Sequence, residues 1–233
     1  MKTAAMLLLL LIVGVTLFPE DPSSNRTTIN KEVRYLEELR FKGPGKVIIT
    51  QGDHSALEIE GDKEILFDTK IKLSKGLLEI TRKGNLFQPP TENFTCKITV
   101  DNDFNKLVLE GGVQLQTELL KLQDLHVSVQ DTATAELLLE GDDLLCQVFD
   151  KGKLLVRGKV DTQKVLLKDQ AVYQAPNLVS RTASVKVVGE GEAIVQADAS
   201  LTLFVVGDGK IYYTKAPKEL SKKVSGTGQI TQR

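Results

Sequence analysis

A repeat of about nineteen residues in the second half of the chain is the feature that most constrains its fold. Three columns recur in one register at spacings of 18 to 20 residues: an aliphatic residue, a Gly or Asp two positions later, and an apolar residue four positions beyond that. The columns are Leu109, Val129, Val148, Leu167, Val187, Val205 and Val224; Gly111, Asp131, Asp150, Asp169, Gly189, Gly207 and Gly226; and Leu115, Ala135, Leu154, Tyr173, Ala193, Ile211 and Ile230. Because 41% of the chain is hydrophobic, two fully apolar columns in one register are not a chance pattern.

The columns predict strands that are joined by a repeated corner. Alternate apolar residues, such as Val185 and Val187, mark a strand with one face inward. The Gly or Asp position supplies a positive φ, at which the chain can turn. The repeat is too short for a strand, a helix and a return strand, which need about 30 residues. The predicted fold is therefore all-β, a parallel β-helix (solenoid) over residues 101–233 with about seven rungs of 18–20 residues, each rung being one turn of the solenoid.

The composition agrees with such a fold, because a narrow solenoid has room for aliphatic columns and few rings. The chain is 5% aromatic and has no Trp. Cys146 falls in a column with Leu107, Val127, Val165, Val185 and Leu203. We therefore expect Cys146 to be a small core residue and not a disulfide partner of Cys96. The same alternation places Tyr213 inward and Tyr212 outward.

Residues 33–100 show alternating strands without the strict period, and are expected to form an irregular N-terminal β part that caps the solenoid. Pairs such as Val47 and Ile49 mark the strands, and Gly- and Asp-containing segments mark the turns. Ile29, Val33 and Leu36 have helical spacing, but an entry strand from Val33 to Phe41 is favoured. Gln88-Pro89-Pro90 is expected to be a loop.

The N-terminus predicts export. Lys2 precedes an apolar run of about 15 residues, which is shorter than the roughly 20 of a membrane-spanning helix. Residues 1–18 are therefore expected to be a signal peptide, with an uncleaved anchor as the alternative, and residues 19–32 a polar linker. The expected location is the periplasm or the cell surface, with membrane contact through an uncleaved N-terminal segment if at all.

Charge and composition exclude several function classes. A formal net charge of −1 lacks the surplus of Lys and Arg that a nucleic-acid binder needs. Two His and two Cys, all far apart, do not provide the four ligands of a structural zinc site. His54 is expected in a polar turn and His126 on an outward strand position. No catalytic or phosphate-binding motif occurs, so no cofactor is expected.

Asp131, Asp150 and Asp169 are the weak candidates for a functional site. They occupy one corner on three consecutive rungs, where stacked carboxylates could bind a cation such as calcium or cleave a polysaccharide. The plainer explanation is that the corner tolerates Asp. The last 24 residues carry six basic residues against Glu219. This basic end could touch an anionic lipid or polysaccharide, but a solvated cap that blocks aggregation is favoured. These basic residues are Lys210, Lys215, Lys218, Lys222, Lys223 and Arg233.

Four segments resemble a bacterial family of unknown function, the auto-transporter adhesin head or GIN domain. Residues 43–53 (GPGKVIITQGD) and 57–62 (LEIEGD) resemble its opening, and residues 207–213 (GDGKIYY) and 222–228 (KKVSGTG) its ending. The middle corners differ from the Ser-Gly turns of the family. The resemblance spans residues 33–233 and implies an exported β-helical protein of the bacterial envelope, with no assigned catalytic residues.

Two functions are compatible with these features. The first is a non-enzymatic β-helical binding or adhesion-like scaffold, which presents a rigid surface to a surface polysaccharide or to another envelope protein. The alternative is a carbohydrate-active enzyme that cleaves polysaccharides with the stacked Asp131, Asp150 and Asp169. The first is favoured, because the chain lacks the aromatic residues that line most sugar clefts.

Overall fold

The computed structural model describes residues 26–84 and 93–233, which are almost entirely β-strands with one short helix. The predicted signal peptide (1–18), residues 19–25 of the predicted linker and the predicted Gln88-Pro89-Pro90 loop lie outside the described residues. None of the described helical segments is long and apolar enough to span a membrane. The elements are β1 (Arg26–Val33), β2 (Glu38–Lys42), β3 (Gly45–Gln51), β4 (Ser55–Asp62), α1 (Lys63–Phe67), β5 (Thr69–Ser74), β6 (Leu77–Arg82), β7 (Phe94–Val100), β8 (Lys106–Glu110), β9 (Val113–Val129), β10 (Thr134–Val148), β11 (Lys153–Asp169), β12 (Val172–Gly189), β13 (Glu192–Val195), β14 (Ser200–Gly207), β15 (Lys210–Tyr213), β16 (Glu219–Ser225) and β17 (Gln229–Gln232).

The strands of the second half stack in parallel, each on its equivalent one repeat earlier. Val127, Cys146, Val165, Val185 and Leu203 stand opposite one another in consecutive rungs and are all buried. The other two apolar columns of the repeat are buried as well, except in the last rung. The predicted parallel β-helix of about seven rungs is therefore confirmed, and its core is the set of inward aliphatic columns.

The repeated corner has the backbone conformation that the Gly and Asp column predicts. All seven corner residues have positive φ, from 57° at Asp131 to 125° at Gly226. A Cβ on Gly189 would lie 3.0 Å from the carbonyl oxygen of Asp169 in the preceding rung. The corner therefore requires a residue that adopts positive φ and fits beneath the adjacent backbone.

Each rung also bends where its pairing with the next is interrupted. The register between β9 and β10 shifts between Glu136 and Leu138, and Asp142 is skipped in the pairing on both sides. Gly158 has φ 120°, and a Cβ there would lie 2.0 Å from the carbonyl oxygen of Leu139. Adjacent rungs thus approach too closely at this bend for any other residue.

The N-terminal part adds rungs to the stack out of chain order. β2 and β3 pair in parallel with β8 and β9 on one side and with β6 and β7 on the other. The β2–β3 rung therefore lies between two rungs that follow it in sequence. Its corner is Gly43, whose φ of 111° extends the corner column to an eighth member.

Antiparallel strands close this end of the stack. β1 pairs with β4, β4 with β7 and β5 with β6. Residues 26–32, which were predicted to be part of the linker, form most of β1. The sequence did not indicate this strand because its side chains are mostly exposed and show no alternation of apolar residues. The predicted entry strand is divided, since β1 ends at Val33, Leu36 is buried in the connection and β2 begins at Glu38.

The core contains two free cysteines. Cys96 and Cys146 are both fully buried, and neither forms a disulfide. Cys146 occupies the inward column, as predicted, and Cys96 stands opposite Val47 in the neighbouring rung. Burial raises the pKa of both thiols, so they are small neutral core residues.

A buried polar cluster interrupts the aliphatic columns. The Tyr173 hydroxyl donates a hydrogen bond to Gln163 Oε1 at 2.9 Å. Gln163 Nε2 donates to Ser180 Oγ at 2.8 Å and to the carbonyl oxygen of Gln196 at 3.0 Å, and Ser180 Oγ donates to the same carbonyl. The buried polar side chains of this cluster are therefore partnered, as burial requires.

The C-terminal end of the stack is the rung formed by β16 and β17. Leu220 and Val224 are each 42% exposed there, because no further rung covers them among the described residues. In the column that contains Leu203, this rung has Lys222. Its Nζ donates to the Tyr213 hydroxyl at 2.8 Å and lies 4.5 Å from the ring centroid. A charged side chain thus lies across the end of the core.

Candidate functional site

The three corner aspartates form the ladder that their spacing predicts. Asp131 Oδ2 accepts a hydrogen bond from the Gly111 backbone N–H at 3.0 Å, and Asp150 Oδ2 accepts one from the Asp131 N–H at 3.3 Å. Each of these two carboxylates therefore reaches back to the corner of the preceding rung. Asp169 has the same positive φ, 61°. The geometry explains why Asp replaces Gly at these corners.

The surface beside this ladder mixes charges. A shallow depression of about 380 Å³ is lined by Asp150, Lys151, Asp169, Gln170, Gly189 and Glu190. Gln170 Nε2 donates to Glu190 Oε2 at 3.1 Å. Across residues 26–84 and 93–233, no group of three or more His, Cys, Asp or Glu side chains is arranged to hold a metal ion. Cation binding or catalysis at Asp131, Asp150 and Asp169 stays a prediction.

A second depression, which we call the rung groove, crosses five neighbouring strands on another side of the solenoid. It has a volume of about 420 Å³ and runs over β3, β9, β10, β11 and β12. Its outward side chains are Lys46, Gln114, Gln116, Thr134, Glu136, Lys153, Leu155, Val172 and Gln174. Because rungs are about 4.8 Å apart, five strands span roughly 19 Å along the stack. The groove thus suits an elongated ligand.

The rung groove is lined mostly by side chains that form hydrogen bonds. Four of its nine outward side chains are amides or a hydroxyl, which both donate and accept hydrogen bonds, and two are lysines, which donate. Glu136 is the one carboxylate among the described lining residues, and its Oε2 lies 4.0 Å from an Arg157 nitrogen. Sequence reasoning missed the groove because outward columns vary in residue type. The available signal was three glutamines, Gln114, Gln116 and Gln174, at outward strand positions.

The remaining sequence candidates lie apart from both depressions. His54 and His126 are exposed, as predicted. Tyr213 points inward, as predicted, and is 5% exposed. Tyr212 faces outward but is half-buried, since the Arg233 guanidinium lies 3.3 Å from its ring centroid. Its ring face is therefore occupied by Arg233 and is not open to a sugar.

The sequence matches one family profile. The profile described as "Putative auto-transporter adhesin, head GIN domain" matches residues 36–217, most of the chain. No curated protein is significantly similar in sequence.

Solved bacterial structures share the fold at low sequence identity. A protein from Bacteroides fragilis NCTC 9343 described as a "putative adhesin" is 19% identical with a TM-score of 0.82, and the alignment covers 91% of this chain and 99% of that one. A protein from Parabacteroides distasonis ATCC 8503 described as a "putative lipid binding protein" is 20% identical with a TM-score of 0.69, over 90% and 97% of the two chains. A protein from Parabacteroides merdae ATCC 43184, also described as a "putative adhesin", is 17% identical with a TM-score of 0.66, over 90% and 97%. These likenesses show a common fold.

Proposed function

The chain belongs to the auto-transporter adhesin head GIN domain family, and on that premise we propose that it is an exported envelope protein that binds a surface polysaccharide without cleaving it. The proposed binding site is the rung groove. Export is supported by the apolar segment within residues 1–18 and by the family's description as an auto-transporter adhesin. The description of two fold neighbours as adhesins agrees with a binding role.

The lining of the rung groove carries this proposal. A polysaccharide that lies along the stack meets a hydrogen-bonding side chain on each of the five strands, about 4.8 Å apart: amide or hydroxyl groups on β9, β10 and β12, and a lysine amine on β3 and on β11. Hydrolysis of a glycosidic bond ordinarily uses two carboxyl groups on either side of the bond. Glu136 has no second carboxylate beside it among the described lining residues. The groove therefore suits retention of a polymer better than cleavage.

A Trp that fills the groove tests the site. Gln116 is exposed on an outward strand position, so Gln116→Trp fits the sheet and blocks the groove. On an array of bacterial surface polysaccharides, we expect the parent to bind at least one glycan and Gln116→Trp to weaken that binding by about tenfold or more. Chromatography of the bound glycan should show chains of unchanged length.

Gln123→Trp is the matched control, because Gln123 is an exposed glutamine that lines a different side of the stack. It should bind as the parent does. The proposal fails if the parent binds no glycan, if both Trp variants bind equally, or if the bound chains are shortened.

A further inference from the structure

One outward sheet face of the solenoid carries lysines and phenylalanines without a carboxylate. We call it the lysine-aromatic face and define it by Phe149, Lys164, Lys168, Lys186, Phe204 and Lys223. Five of these residues alternate with buried ones along the strands β10, β11, β12 and β14 or directly follow them, so their side chains point outward. Lys223 of β16 shares this side because it stands opposite Phe204. Lys186, Phe204 and Lys223 stand opposite one another in three consecutive rungs.

Three of the four lysines of this face lie against rings, and none of the four is paired with a carboxylate of the described residues. Lys168 Nζ is 5.2 Å from the ring centroid of Phe149. The Nζ atoms of Lys186 and Lys223 lie 5.5 and 5.6 Å from the ring centroid of Phe204. Within the described ranges, none of the four lysines has a carboxylate oxygen within 4.0 Å.

Other lysines of the protein are paired with carboxylates. Lys42, Lys97 and Lys106 form ion pairs with Glu110, Glu58 and Glu38 at 3.0, 2.7 and 3.2 Å. Their charges are neutralised within the protein, whereas those of the lysine-aromatic face are exposed and available to a ligand. The positive charge of this face therefore favours an anionic partner.

We propose that the lysine-aromatic face binds an acidic polysaccharide whose carboxylates pair with the lysines. The proposal goes beyond the rung groove, since it uses a different face and a charged ligand. Positive charge recurs along the stack, as the charges of a uronate polymer do. The lysine stems, which lie over Phe149 and Phe204, supply apolar surface for the C–H groups of the sugars.

The shape of the face favours a polymer over a membrane. Both rings are half-buried in a regular sheet and covered by lysines, so they do not project as the apolar groups of a membrane anchor do. The nearby corner does not neutralise the lysines by an ion pair, and Asp150 Oδ2 is engaged with the Asp131 backbone N–H. An extended anionic chain therefore fits the face best.

The test measures binding of polygalacturonate, a uronate homopolymer, and of neutral dextran to the full-length protein. We expect polygalacturonate to bind and dextran not to bind at this face, and the affinity to fall when NaCl is raised from about 50 to about 300 mM. The double variant Lys186→Gln/Lys223→Gln should weaken binding of polygalacturonate by about tenfold or more. Lys159→Gln, at an exposed lysine without an ion pair on another side, should bind as the parent does.

Additional variants and ligands distinguish binding at this face from binding in the rung groove and from binding to a membrane. Gln116→Trp, which blocks the rung groove, should leave polygalacturonate binding unchanged, so the two proposals fail separately. Equal binding by the double variant and the parent overturns the lysine-aromatic face, as does equal affinity for dextran. Binding to vesicles of phosphatidylglycerol and phosphatidylcholine that the double variant loses would also overturn it, in favour of a membrane surface. Unchanged thermal unfolding of the double variant excludes a folding defect.

Discussion

At the scale of the residue, the corner combines two requirements that few side chains meet. The backbone needs positive φ, and the backbone N–H of the preceding corner residue needs a hydrogen-bond acceptor. Asp131 and Asp150 meet both, with φ of 57° and 58° and carboxylates that accept hydrogen bonds from corner N–H groups. Neither requirement needs the negative charge of the carboxylate. Cation binding or catalysis would need that charge, so the two kinds of role can be distinguished by removing it.

Substitution of Asp150 tests this separation. Asp150→Asn keeps an acceptor oxygen and a tolerance for positive φ, so we expect its free energy of unfolding to stay within about 0.5 kcal/mol of the parent. Asp150→Ala loses the hydrogen bond and strains the backbone, and should lower it by about 1–3 kcal/mol in urea titrations. A calcium-dependent rise in the melting temperature of the parent, absent from Asp150→Asn, would instead establish a cation site.

The buried thiols should make the free energy of unfolding depend on pH. Burial raises the pKa of Cys96 and Cys146 above that of an unfolded cysteine, so the native state keeps two protons that the unfolded chain releases above about pH 8.5. These thiols therefore contribute stability that is present below that pH and is lost as pH rises above it. A thiol reagent at pH 8 should label neither cysteine in the folded protein and both in urea; rapid labelling of the native protein would contradict their burial.

At the scale of the element, the strands that carry the apolar columns of the repeat could be predicted from the sequence, and the strands outside the repeat could not. The corner column predicted the second half because each rung pairs with the next rung in sequence at an offset of 18 to 20 residues. The β2–β3 rung pairs with β6–β7 across an irregular interval, which no period encodes, and β1 is a polar edge strand. The rung groove was missed for a related reason: it lies on outward positions, which the core does not constrain.

Lys222 should keep the C-terminal end of the stack from associating with another molecule. It stands at an inward position where the preceding rung has Leu203, beside the exposed Leu220 and Val224. An inward charge at a sheet edge opposes the addition of another strand. Lys222→Leu should therefore convert a monomer into end-to-end dimers or larger species, measured by light scattering after size-exclusion chromatography.

The control for this experiment is Lys223→Leu, because Lys223 is the outward neighbour on the same strand and leaves the end of the core charged. It should remain monomeric. Equal association of both variants would mean that added surface hydrophobicity, and not the loss of an inward charge, drives assembly.

At the scale of the whole molecule, the repetitive part is a series of interchangeable rungs. Each rung contacts mainly the rung before and the rung after it, through strands of matched register. Stability in such a stack is close to a sum of rung and interface contributions. Removal of one complete rung should therefore shorten the molecule without changing its fold.

Excision of residues 131–149 tests this modularity, since it joins Gln130 to Asp150 and replaces one corner by the next. We expect a cooperative unfolding transition and a β-sheet circular dichroism spectrum like that of the parent. Excision of residues 131–139, about half a rung, places outward residues in inward columns and should abolish folding. Equal folding of both deletions would argue against a rung-by-rung register.

The position of the β2–β3 rung also determines the order in which the molecule can be completed. Residues 38–51 leave the ribosome early, but they are held between strands that end at Val100 and begin at Lys106. The first rung made must therefore wait, unpaired on both sides, until about the first half of the chain has emerged, and only then can it close. Each later rung finds its template already present, so assembly begins with one slow long-range step and then proceeds by addition, one rung at a time.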